Sequence, residues 1–156
     1  MKRKSEAKII RIVEEYINQE NFEYEIQEEY IRTGVEFISG TYSDIIIHPL
    51  IENKVIRFIA LNFLDEPTDL RPEFLEALLK INFDTLLGNF CRDLDGKTYL
   101  TVDFPIKEKG ITKEQFKLCL YSIIIILEKY VPILNQILNT NIPLREVFFY
   151  IEGEVE

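Results

Sequence analysis

The chain has 156 residues, with 18 lysines and arginines against 27 aspartates and glutamates, a net charge of −9. That length fits a single domain, residues 1–156, with a core over about 5–139 and an extension over 140–156, and it can bury a full core without disulfides or metal. The acidity disfavours nucleic acid and anionic membrane as partners and suits a basic client, and two cysteines without CxxC spacing exclude a secreted disulfide framework.

The opening "MKRKSEAKIIRIVEEYINQE" is basic, but charges interrupt every apolar run, so it does not read as a signal peptide. Ile9, Ile10, Val13, Tyr16 and Ile17 recur at helical spacing and predict a helix over 5–19, with Ser5 as its cap and Asn18 and Asn21 at its end. From Phe22 to Phe63 the period falls to two. "FEYEI" is a weak strand, and "YIRTGVEFIS" puts Ile31, Thr33, Val35 and Phe37 on one face. Ser39-Gly40-Thr41 turns the chain into "YSDIIIHPL", and Glu52-Asn53-Lys54 turns it again into "VIRFIALNF". Strands this close pair antiparallel, so three firm strands and a weaker fourth form a meander.

"LDEPTDLRPEF" is a connection, with Asp69 as candidate cap and Arg71 and Pro72 in the first turn of a helix. Phe74, Leu75, Leu78, Leu79 and Ile81 carry that helix to about Asp84. Asp95-Gly96 between "LLGNFCRDL" and "KTYLTVDFP" predicts a two-residue hairpin with φ > 0 at both turn positions. Thr112 with Gln115 forms a capping box for the longest helix. Its apolar stripe, from Phe116 through Leu120, Ile123, Leu127, Tyr130 and Leu134 to Ile137, is widened by Ile124, Val131 and Leu138. A stripe that broad covers a sheet, and Pro132 is expected to kink or break the helix near Tyr130. "SIIIILEKY" is the most hydrophobic stretch and is far shorter than the roughly 20 residues of a membrane helix. The expected compartment is the cytoplasm.

Candidate chemistry is sparse. Counted as a calcium loop with Gly96 at position six, the hairpin has Asp93 and Asp95 at three and five, but Cys91 at one and Val102 at twelve, so two ligands are missing. His48 is the single histidine, and a nucleophile–histidine site would have to pair it with Cys91. Cys119 sits beside the apolar stripe and reads as a small buried hydrophobe. No catalytic, cofactor or metal residues are assigned. The tail "EVFFYIE" reads as a strand, with Val147, Phe149 and Ile151 on one face and Phe148 and Tyr150 on the other. Apolar residues on both faces mean that it is either covered by its own domain or pairs with another chain. These five residues are the candidate protein-binding set.

The order helix, three strands, helix, two strands, long helix, with "INFDTLLGNFCRDLDGKTYLTVDFP", "TKEQF" and "EKYVPIL", resembles the YbjN-like family, bacterial proteins with the fold of type III secretion chaperones. The resemblance is clearest from about Leu70 to Leu138 and looser from Ser5 to Phe63. It implies an α+β domain, an antiparallel sheet of five or six strands packed by helices, with self-association common. It implies no enzymatic activity and carries over no catalytic residues. The secretion-chaperone class consists of small acidic proteins that bind protein segments as dimers. The leading expectation is therefore a non-enzymatic protein-binding module, chaperone-like or regulatory and homodimeric. It would take an unidentified protein client at a sheet edge or apolar groove. The alternatives are a small-ligand binder or unrecognised enzyme with a pocket near His48 and Cys91, and a structural subunit of a larger assembly.

Overall fold

Alternation of apolar and polar residues builds the sheet around which everything else packs. The computed structural model describes residues 2–66, 71–107, 109–141, 143, 146, 147 and 151, without the side chains of 2–4. Helix α1 spans Lys2–Gln19; β1 is Tyr24–Ile26, β2 Ile31–Glu36, β3 Tyr42–Leu50 and β4 Val55–Leu61; α2 is Pro72–Asp84, β5 Asn89–Arg92, β6 Thr98–Pro105 and α3 Lys113–Asn139. The six strands run in the order β1-β2-β3-β4-β6-β5, every neighbour antiparallel. The expected α+β architecture and element order are therefore present, and the weak "FEYEI" strand takes the edge beside β2.

One face of the sheet is the core. Ile31, Ile45, Ile47, Ile56, Phe58, Ala60 and Leu100 are fully buried there, matched by Ile17 of α1, Phe74 and Ile81 of α2, and Phe116, Leu120 and Ile123 of α3. The Phe116 ring lies 5.8 Å from Tyr16 and 5.8 Å from Phe58, tying α1, α3 and β4 together. Aromatic pairs at this spacing add about 0.5–1.5 kcal/mol each beyond the area they bury.

Several local expectations are corrected. Ser5 lies inside α1, not at its cap; Asn21, at φ 60°, does close that helix end as read. Asp69 falls outside the described residues, and Arg71 takes the cap position of α2 without a side-chain cap bond. Arg71 instead donates to the Ile137 carbonyl and to Asn141 Oδ1, which staples the start of α2 to the end of α3. The capping box of α3 forms as expected, with Gln115 N donating to Thr112 Oγ1 and Thr112 N to Gln115 Oε1.

Pro132 neither ends nor splits α3. Its ring faces solvent, where water can satisfy the carbonyl one turn back, while Val131, Ile133 and Leu134 are anchored in the core. Tertiary burial on either side keeps the helix continuous through the proline, so the expected break is absent. This 27-residue helix is long and apolar enough to cross a membrane, with mean hydropathy 1.6 over its best window. Eleven of its residues, Phe116 to Ile137, are buried in this fold.

The β5–β6 hairpin differs from the two-residue turn expected. Only Gly96 has positive φ (78°); Asp95 does not. The Asp93 amide donates to the Lys97 carbonyl at 2.9 Å and the Gly96 amide to the Asp93 carbonyl at 3.1 Å. This is a three-residue loop closed by a left-handed glycine. The Asp93 carboxylate accepts from Lys97 N at 2.8 Å, so it serves the turn. Gly96→Val should lower stability by about 1–2 kcal/mol, since a β-branched residue resists the left-handed region. Equal melting of variant and parent would refute the turn geometry.

Candidate protein-binding surface

The residues singled out for chemistry are held apart. His48 pairs with Arg57 of β4, which pairs with Asp103 of β6. Cys91 pairs with Tyr99, four residues back along β6. Three strand spacings across and about four residues along separate His48 from Cys91 by on the order of 20 Å. They cannot form a nucleophile–histidine pair. His48 instead meets the edge of Tyr30, with ring centroids 6.3 Å apart. Cys119 is fully buried, and burial pushes its thiol up to about 11, so it is inert packing.

The candidate set in the tail divides. Val147 and Ile151 are buried in the core, and the described residues Glu146, Val147 and Ile151 are helical, not extended. Phe148, Phe149 and Tyr150 lie outside the described residues.

Among the described residues, an unpartnered apolar surface lies on α2. Its buried face is Phe74, Ala77, Leu78 and Ile81. On the other side Leu75, Leu79 and Phe83 recur every four residues and remain 39%, 64% and 85% exposed, with Leu86 fully exposed at the helix foot. Helices that pack one face on a sheet carry polar residues opposite; α2 carries apolar residues on both. Beside this ridge, Leu86 and Leu87 face Ser122, Ile125, Ile126 and Tyr130 of α3 across a hollow of about 350 Å³. Its rim holds Asp84, 3.4 Å from Lys80, and Lys129, whose ammonium sits 4.9 Å over the Tyr130 ring. The missed signal was the width of the α2 pattern. Phe74, Leu75, Leu78, Leu79, Ile81 and Phe83 are too many for one inward stripe.

The sheet edge next to α2 is already used. Asn82 of α2 donates to the Phe90 carbonyl at 2.8 Å and accepts from the Phe90 amide at 2.7 Å. One amide side chain thus imitates a neighbouring strand and satisfies the middle of β5, a protected edge.

The face of the sheet away from the helices carries a polar network. Asp44 accepts from Arg32 Nη2 at 2.9 Å, Asn62 Nδ2 at 2.8 Å and Tyr42 Oη at 3.3 Å. Burial opposes its ionisation, but the Asn62 and Arg32 hydrogen bonds and the Arg32 charge outweigh it and hold the carboxyl below its ordinary value. Gly34 makes room for this: a Cβ there would collide with the Tyr42 hydroxyl. Arg57 donates to both carboxylate oxygens of Asp103, at 2.7 and 2.6 Å. Half-exposed as it is, that pair contributes little to stability.

Residues 10–135 match the profile of the YbjN family, described as "Putative bacterial sensory transduction regulator". Among solved structures, the crystal structure of YbjN from E. coli, titled "a putative transcription regulator", is similar to this chain. The TM-score is 0.52 at 17% sequence identity, over 76% of this chain and 88% of that one. At that identity the likeness speaks for the fold alone. No curated protein matches the chain.

Proposed function

The chain belongs to the YbjN family, and from that premise we propose that it is a non-enzymatic, regulatory or chaperone-like protein-binding module that acts as a homodimer. The observation that carries this reading is the α2 ridge, with Leu79, Phe83 and Leu86 at 64%, 85% and 101% exposure. Scattered apolar side chains are normal on a monomer; a row of them beside an apolar hollow marks an interaction surface. The ridge and hollow adjoin on one patch, so two copies related by a two-fold axis can each place a ridge in the other's hollow. Asp84 and Lys129 on the rim supply both signs of charge to match across that axis. Asn82 closes the middle of β5, which favours the groove over that sheet edge as the binding mode. The separation of His48 from Cys91 counts against the alternative of a catalytic or ligand pocket between them.

Sedimentation tests the proposal. The parent should run as a dimer at about 100 µM or below, and the double substitution Phe83→Asp, Leu86→Asp should run as a monomer with little change in melting, since both side chains are exposed. Proteins captured on the parent should be lost from the double variant. A monomeric parent, or identical capture by both, overturns the reading.

A further inference from the structure

A second apolar groove lies at the opposite edge of the sheet. Between α1 and the β1–β2 turn, Ala7, Ile10 and Ile26 line a hollow of about 430 Å³, and it adjoins a further hollow of about 320 Å³ that shares Ala7 and Glu28. Ile26 sits next to the fully buried Ile31 in the strand register, yet it is 49% exposed, with no described element covering it. The strand order places β1 and β5 at opposite ends of six strands, about 24 Å apart. This groove is therefore distinct from the α2 ridge.

Its charge is one-sided. Among the described side chains, Glu6, Glu14, Glu28 and Glu29 stand on its walls, against Arg11 as the one basic residue of its lining. Glu14 is held in place by the Tyr24 hydroxyl, which donates to it at 3.0 Å. An apolar floor between acidic walls is complementary to a segment that is apolar on one side and basic on the other. From Glu6 to Glu14 the groove runs along about 12 Å of α1, room for about two turns of a second helix laid beside it.

We propose that this groove binds a basic amphipathic helix of a partner protein. Its apolar side chains would lie on Ala7 and Ile26, over the buried Ile10, and its lysines or arginines against the four glutamates. This goes beyond the homodimer reading and stands whether or not that holds. The net charge of −9 draws such a segment in from a distance and repels acidic ones, more strongly at low salt.

The probe is a labelled peptide of about 12 residues, leucine and lysine placed at helical spacing, titrated into the full chain and followed by fluorescence anisotropy. Two controls accompany it: leucine with glutamate, and serine with lysine. The leucine–lysine peptide should bind saturably, and Ile26→Ser or Glu28→Gln with Glu29→Gln should weaken it by about tenfold or more. Both sites are exposed, so the variants should fold, as melting curves would verify. Phe83→Asp should leave binding unchanged, which separates this result from the dimer test. Four outcomes overturn the proposal: no binding at low salt, equal binding of either control peptide, binding untouched by Ile26→Ser, or binding abolished by Phe83→Asp. Loss of self-association in Ile26→Ser would overturn it as well, by assigning the groove to a second copy.

Discussion

Phe116→Ala should lower the free energy of unfolding by about 3–5 kcal/mol, the range for deleting a buried phenylalanine ring. The side chain is fully buried and stands between Tyr16 and Phe58, each 5.8 Å away. Neither neighbour can follow into the space it leaves. Phe58 is fixed in the middle of β4, between β3 and β6, and Tyr16 belongs to a helix whose Val13 and Ile17 are already buried. The cavity therefore stays largely open and adds its own term to the lost transfer energy. Urea denaturation reads the effect as a lower midpoint at unchanged slope. Phe83→Ala is the internal comparison: the same deletion from an 85% exposed ring should change stability by less than about 0.5 kcal/mol in the monomer. Equal losses from the two would mean that Phe116 does not pack where described.

The comparison of those two phenylalanines also shows what was legible in the sequence. Period-two alternation located the strands well enough that, of the four residues read on one face, Ile31, Thr33 and Phe37 are buried and Val35 is partly buried against the core. Heptad-like spacing located α3 and the face it turns to the sheet. Periodicity reports that a helix has an apolar side; it does not report a second one. Leu75 and Leu79 therefore mark the helix alongside Phe74, Leu78 and Ile81, with no separate face assigned to them, although both are exposed. Turn chemistry was legible at Gly96 but not in its loop length, because that depends on hydrogen bonds across the hairpin, here Asp93 to Lys97. The tail was read as a strand from alternation over a handful of residues, a span in which a helical stripe looks much the same. The groove beside Ile26 joins residues about twenty apart in sequence, on a helix and a turn, and tertiary packing of α1 beside β1, where the Tyr24 hydroxyl donates to Glu14, brings them together.

Asp44→Ala should lower stability by about 2 kcal/mol near neutral pH, as expected for removing a largely buried, charge-assisted acceptor. The carboxylate is 10% exposed and collects hydrogen bonds from β2, from its own strand and from the residue after β4, through Arg32, Tyr42 and Asn62. Arg32 and Asp44 sit on a diagonal across the β2–β3 ladder, since Arg32 is opposite Ile46 and Asp44 opposite Gly34. Arg32 is half-exposed and can return to water, so the loss stays below that of a fully buried ion pair. The pH dependence identifies the cause. The carboxyl's folded pKa is depressed, so its stabilisation is complete above the unfolded value of about 4 and is lost as pH falls through the lower folded value. Parent and Asp44→Ala should therefore differ most near pH 7, and the gap should narrow below about pH 4. Asp44→Asn, which keeps the shape and one acceptor without the charge, should fall between them. A gap that stays constant from about pH 7 to pH 3 would mean that Asp44 contributes packing alone and that its pairing with Arg32 and Asn62 stabilises nothing.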